Sequence, residues 1–138
     1  MKNIVISLVC LVVLLFCSSS NKDDTVVGTY HSPESSTLNK LRYGMFALGL
    51  KLELKKDSTY FYSTCAQTSN GKWSVRKNNL ILKCKEIRFI NDSINQIERF
   101  SKGKICGGDL VFEIQDKKLI RLEKLQNGKE GKFILLKN

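Results

Sequence analysis

The sequence predicts an all-β protein: an antiparallel meander of about eight strands closing into a small barrel, with one short helix or lid segment after the first strand and an apolar signal helix at the N-terminus. Three observations carry this. Beyond residue 25, apolar residues recur mostly with a period of two. Polar, turn-forming clusters separate these stretches at hairpin spacing. A meander of that size leaves two unpaired edges unless it closes on itself. A two-sheet sandwich is the competing architecture for the same pattern.

The strands read in order as follows. Residues 26–30 open the sheet. In residues 50–55, Leu50, Leu52 and Leu54 alternate with Lys51, Glu53 and Lys55, the mark of a half-buried strand. Residues 56–58 turn the chain, and residues 59–64 are aromatic and β-branched, a good strand composition. Asn70-Gly71 is a hairpin signal. Trp73 and Val75 then share one face, residues 76–79 turn, and Leu80, Leu82 and Cys84 share the next face. Residues 87–90 precede a turn at 91–93, and residues 94–100 fit either a strand or a short helix. Residues 110–115 and 119–123 form a hairpin about Asp116-Lys117-Lys118, and residues 133–136 close the sheet after the loop 127–131. Between the first and second strands, Leu38, Leu41, Met45 and Leu48 recur at near-helical spacing. This segment reads as a helix plugging one end of the core or as a lid.

The chain has 138 residues, enough for one folded domain, assigned to 26–138. Its 26% charged and 42% apolar residues describe a globular body. The single histidine, His31, sits beside loop residues and excludes a multi-histidine metal site. The carboxylates show no motif spacing, and Gly107-Gly108-Asp109 has no following helix to complete a phosphate-binding loop. These features point away from an enzyme and imply no cofactor.

Residues 4–17 carry no charge and follow Lys2. Spanning a bilayer core takes about 20 helical residues, so this run fits the apolar region of a secretory signal. Leu14-Leu15-Phe16-Cys17 followed by three serines resembles the lipobox of bacterial lipoproteins, with Phe16 where that family prefers a small residue. The resemblance implies a signal peptide over 1–16 and a lipid anchor on Cys17, including a palmitate-type acyl chain. Cys10 has too few apolar residues before it to serve. Residues 17–25 read as a flexible tether. Within it, Lys22-Asp23-Asp24 is similar to the export signal of Bacteroidetes-type surface lipoproteins. The resemblance therefore implies an exported, lipid-anchored protein at the outer membrane or cell surface. The Gly28-Thr29-Tyr30 opening and the Gly71-Lys72-Trp73 strand look like small lipocalin-like lipoprotein domains. From that barrel shape follows the expectation of a binding module with Leu52, Tyr60, Tyr62 and Trp73 lining a pocket for a small apolar ligand. The alternative is a filled core and a protein-interaction or structural role.

Cys65, Cys84 and Cys106 remain in the body. An oxidising compartment favours a disulfide within this trio, and the meander places all three near one rim. Cys65 and Cys84 lie two strands apart, about 9.6 Å, further than a disulfide spans unless Cys65 bends over from a loop. Cys106 lies on a glycine-rich stretch able to reach either. The spacings of 19 and 22 positions lack the close pairs of zinc sites. The formal net charge of +10 comes largely from lysines at alternate strand positions and turns, a solvated face. On an exported protein it favours an anionic surface over nucleic acid.

Overall fold

The computed structural model describes residues 25–34, 36–43, 48–101, 106–124, 128 and 130–138. The leader, Cys17, the tether up to residue 24 and Met45 lie outside them. The elements are β1 (Gly28–His31), α1 (Thr37–Tyr43), β2 (Lys51–Leu54), β3 (Thr59–Ser63), β4 (Gln67–Arg76), β5 (Asn79–Phe89), α2 (Asp92–Asn95), α3 (Glu98–Ser101), β6 (Leu110–Gln115), β7 (Lys118–Lys124) and β8 (Glu130–Lys137). The eight strands form a closed barrel in sequence order, each antiparallel to the next, with β8 returning to β1. Closure removes the exposed edges that an open meander would present.

Each turn has a local cause. At the β2–β3 turn, Ser58 takes a left-handed φ of 62°, and the Asp57 carboxylate accepts from the Thr59 amide at 3.0 Å. At the β3–β4 turn, the Thr64 hydroxyl accepts from the Gln67 amide at 3.1 Å, a side-chain mimic of a backbone turn. Asn91 caps α2 by accepting from the Ser93 amide at 3.1 Å.

Asn70-Gly71, expected to be a hairpin turn, lies inside β4. Asn70 pairs with Glu86 and Gly71 with Cys84, leaving Lys85 as a bulge residue. Gly71 is required there for a different reason: a Cβ on it would sit 2.0 Å from the Lys83 carbonyl oxygen. The extra residue also changes which positions face in. Leu80, Leu82 and Cys84 face inward before it, and Ile87 lines the interior after it. β5 thus runs on through residues 87–89 instead of ending near Cys84. Residues 92–101 form two single helical turns. The first strand begins at Gly28, not Val26, because Thr25 and Val26 are helical. The leucines of α1 do not plug the core: Leu38 is 69% and Leu41 84% exposed, whereas Leu48 is buried.

The barrel is packed solid at one end, here the base. Leu52, Leu54, Leu80, Leu82, Phe112, Leu119 and Leu135 are essentially inaccessible to water. Trp73 closes the base and donates its indole N–H to the Lys55 carbonyl at 3.0 Å. Val26 is buried beside it, held by the Tyr30 hydroxyl donating to its carbonyl at 2.7 Å. Lys137 Nζ donates to the Thr25 carbonyl at 2.6 Å. The other end, the mouth, carries the β1–β2, β3–β4, β5–β6 and β7–β8 connections. Its ladders are incomplete. β6 pairs with β5 only along Asn79–Leu82 of the latter, and β1 meets β8 only at Leu136 and Lys137. α1 lies against β8. Beyond Leu82, β5 is held from the β6 side by the Cys84–Cys106 disulfide. Asn95 also brackets Phe89, donating to its carbonyl at 2.8 Å and accepting from its amide at 2.9 Å.

Candidate functional site

Above the solid base the barrel is hollow. A cavity of about 510 Å³ opens at the mouth, within the range of small-molecule sites. Its apolar wall comes from Leu50, Ile87, Leu110 and Phe133, and its polar wall from Ser69, Arg121, Glu123 and Asp109. Tyr60 and Tyr62 also line it, while Leu52 and Trp73 do not. The reason is the packing around each side chain and not the register, since Leu52 is opposite Tyr62 and Leu54 opposite Tyr60. Leu52 and Trp73 point inward into the packed base, where Leu80, Leu82 and Phe112 leave no room. Tyr62 packs edge-on against Phe112, with ring centroids 6.3 Å apart, and so stands on the floor.

The polar wall follows from strand parity. In β7, Leu119 anchors the inward face in the base, so Arg121 and Glu123, two and four residues on, also face inward, while Leu122 is 63% exposed. The run Leu119-Ile120-Arg121-Leu122-Glu123 is compatible with either parity from sequence alone. Arg121 Nη2 donates to Glu123 Oε2 at 2.7 Å, and its guanidinium lies 5.5 Å from the Phe133 ring centroid.

Both tyrosines are held protonated. Burial pushes the Tyr62 phenol up to about 12; Glu123 adds to the shift and Arg121 opposes it. Burial also raises Tyr60, with the nearby Ser69 hydroxyl pulling the other way and Asp109 reinforcing. The Tyr60 and Ser69 hydroxyls approach each other without meeting hydrogen-bond geometry, and neither has another partner among the described residues. Ser69, Arg121, Glu123, Asp109 and Phe133 are cavity residues that the sequence reading does not assign to the site.

The cysteines are placed unevenly. Cys84 lies within β5 and lines the cavity, bonded to Cys106 with Cα atoms 5.7 Å apart. Cys106 is followed directly by Gly107, Gly108 and Asp109, which form part of the same wall. Cys65 is exposed and free in the β3–β4 loop. It sits next to Ala66, whose carbonyl accepts from Ile90 beyond the end of β5, several residues above Cys84. This corrects the picture of three thiols sharing one strand-end rim. His31 pairs with Lys51 and Leu136 in the sheet and does not line the cavity. Among the described residues there is no group of three or more His, Cys, Asp or Glu arranged to hold a metal. None of the described helices is long and apolar enough to cross a membrane.

The site and fold define a small closed antiparallel barrel with an open-ended internal cavity. Comparison of the chain with family models, with curated proteins and with solved structures finds no match.

Proposed function

We propose that the protein is an exported bacterial lipoprotein, anchored through Cys17, whose barrel is a non-enzymatic binding module for a small ligand. The cavity carries the binding half of this reading: an eight-stranded barrel either fills its interior with side chains or leaves room for one small ligand, and here a cavity of about 510 Å³ remains open. The uncharged run over residues 4–17, its terminal cysteine and the polar stretch behind it support the anchored half. An acyl chain adds ~0.8 kcal/mol per buried CH₂, so a multiply acylated cysteine holds stably to a membrane. Mass spectrometry of the protein isolated from its own cells tests both halves. Denatured, it should lack residues 1–16, carry a lipid mass on Cys17 and retain one disulfide; in the native state it should carry a small-molecule adduct. Recovery of an unmodified chain still starting at Met1 overturns the anchor.

One observation favours the rival role, a lipoprotein that engages another protein. The outer face of the barrel exposes Val111, Leu122 and Leu136, and α1 adds Leu38 and Leu41. Exposed apolar area of this kind marks interaction surfaces. If Leu122→Lys abolishes the protein's effect in cells while Tyr62→Phe leaves it intact, the rival reading holds.

A further inference from the structure

The cavity's polar groups constrain what it takes. This step rests on the reading of the cavity as a ligand site. Arg121, Gln67 and the hydroxyls of Tyr60, Tyr62 and Ser69 present hydrogen-bond donors around it. Arg121 has five N–H donors, of which Nη2 is engaged by Glu123 while the guanidinium face rests on Phe133. The Tyr62 hydroxyl makes no hydrogen bond with a described residue, and its burial keeps the proton on against the pull of Arg121. At the lower edge, the Tyr60 and Ser69 hydroxyls, both more than nine-tenths buried, lack partners of ordinary geometry.

Arg121 only donates, while the hydroxyls and the Gln67 amide can also accept; the side chains that only accept are the two carboxylates. Glu123 is already paired, and Asp109 stands on the exposed side of the mouth. A wholly apolar ligand would strip water from these donors and leave them unpaired, which is the costly outcome for buried polar groups. A polar group on the ligand that accepts can use Arg121 as well as the hydroxyls, whereas one that donates finds its charged partners paired or exposed, so an accepting group is the better match. Its charge is set by the carboxylates. Arg121 and Glu123 cancel and Asp109 leaves the ring of groups at net −1. A ligand carboxylate would share Arg121 with Glu123 and face two like charges, Glu123 and Asp109.

We infer that the cavity selects an uncharged amphiphile whose carbonyl or amide oxygen is held by Tyr62 and Arg121, with its apolar body against Leu50, Ile87, Leu110 and Phe133. Tyr62 and Arg121 belong to different strands, β3 and β7, and stand near enough to interact electrostatically, so one acceptor oxygen placed between them meets both. This differs from the apolar ligand that the barrel pattern suggested, because the inward parity of β7 places a guanidinium where a period-two reading expects an aliphatic side chain.

Calorimetry at neutral pH on the disulfide-bonded protein, with octanamide and octanoate as matched probes, tests this. Octanamide should bind at least ~10-fold more tightly than octanoate. Tyr62→Phe should weaken octanamide ~5- to 10-fold, the loss of one hydrogen bond, with the urea midpoint unchanged. Glu123→Gln should narrow the gap by raising octanoate affinity. Amide-proton shifts on titration should centre on Ser69, Arg121 and Phe133. Octanoate binding as well as octanamide, or octanamide affinity indifferent to both Tyr62→Phe and Arg121→Met, overturns the selectivity while leaving the cavity a ligand site. Shifts confined to the outer face overturn both, as does failure of both probes to bind.

Discussion

Reducing or deleting the Cys84–Cys106 disulfide should weaken the mouth of the barrel far more than its base. The bond closes a loop of 22 residues. In the chain-entropy account a loop of that length contributes about 3 kcal/mol by restricting the unfolded chain. A small domain holds a margin of only about 5–15 kcal/mol, so the loss is a large share of it. The native state adds a local effect. Past Leu82, β5 has no ladder partner on the β6 side, and the disulfide is the covalent tie across that gap. Cys106→Ser should therefore lower the urea unfolding free energy by about 3 kcal/mol. Amide exchange should rise along residues 83–89, while Leu52, Leu80 and Leu119 in the base stay protected until global unfolding. Cys65→Ser is the reference, since Cys65 is exposed and free, and should change stability by less than ~0.5 kcal/mol. Of these three cysteines, only Cys65 should alkylate without reductant. The reasoning fails if Cys106→Ser costs under ~1 kcal/mol, if Cys65→Ser costs as much, or if exchange rises evenly over the whole barrel.

Other outcomes follow from single features. Gly71→Ala should cost about 3 kcal/mol, because the new methyl would meet the Lys83 carbonyl oxygen at 2.0 Å and no flexible side chain can yield; thermal melts that match the parent would show that the bulge relaxes freely. Trp73→Ala should cost about 3–5 kcal/mol by opening the base, whereas Trp73→Phe should leave octanamide affinity unchanged because the indole is not part of the cavity wall. Stability should fall as pH rises from about 10 towards 12. Burial pushes the Tyr30 and Tyr62 phenols up to about 12, so the fold keeps protons that the unfolded chain gives up near 10. Below that window these groups contribute no pH dependence. Phenolate absorbance that develops fully near pH 10 with no unfolding would contradict this.

The barrel was readable because most of its strands are bounded by polar turns and obey period two, from Leu50-Leu52-Leu54 onward. The readings failed where a local signal met a tertiary demand. Asn70-Gly71 has the composition of a hairpin turn, yet the glycine serves a backbone approach across β4 and β5. Leu38 and Leu41 have helical spacing and do form a helix, but spacing cannot say which surface receives them. The candidate site was half legible. Tyr60 and Tyr62 were visible as inward aromatics, but which inward side chains the packing leaves facing the cavity depends on the whole set of facing residues. Leu52 and Trp73 therefore fell within the packed base. Arg121 and Glu123 stayed hidden for the complementary reason: two charges flanking Leu122 look like a solvent face until Leu119 fixes the parity. The Cys84–Cys106 pairing was one of the options left open by strand spacing, which had already set the distance against Cys65 and Cys84.

The position of Thr25 has a further consequence. Its carbonyl is fastened to Lys137 at the pole where Trp73 and Val26 are buried, so the described chain enters the barrel on the side opposite the opening. Whatever is joined to the chain ahead of Thr25 therefore meets the closed pole first, like the stem of a cup, and leaves the rim clear for molecules arriving from the surrounding medium.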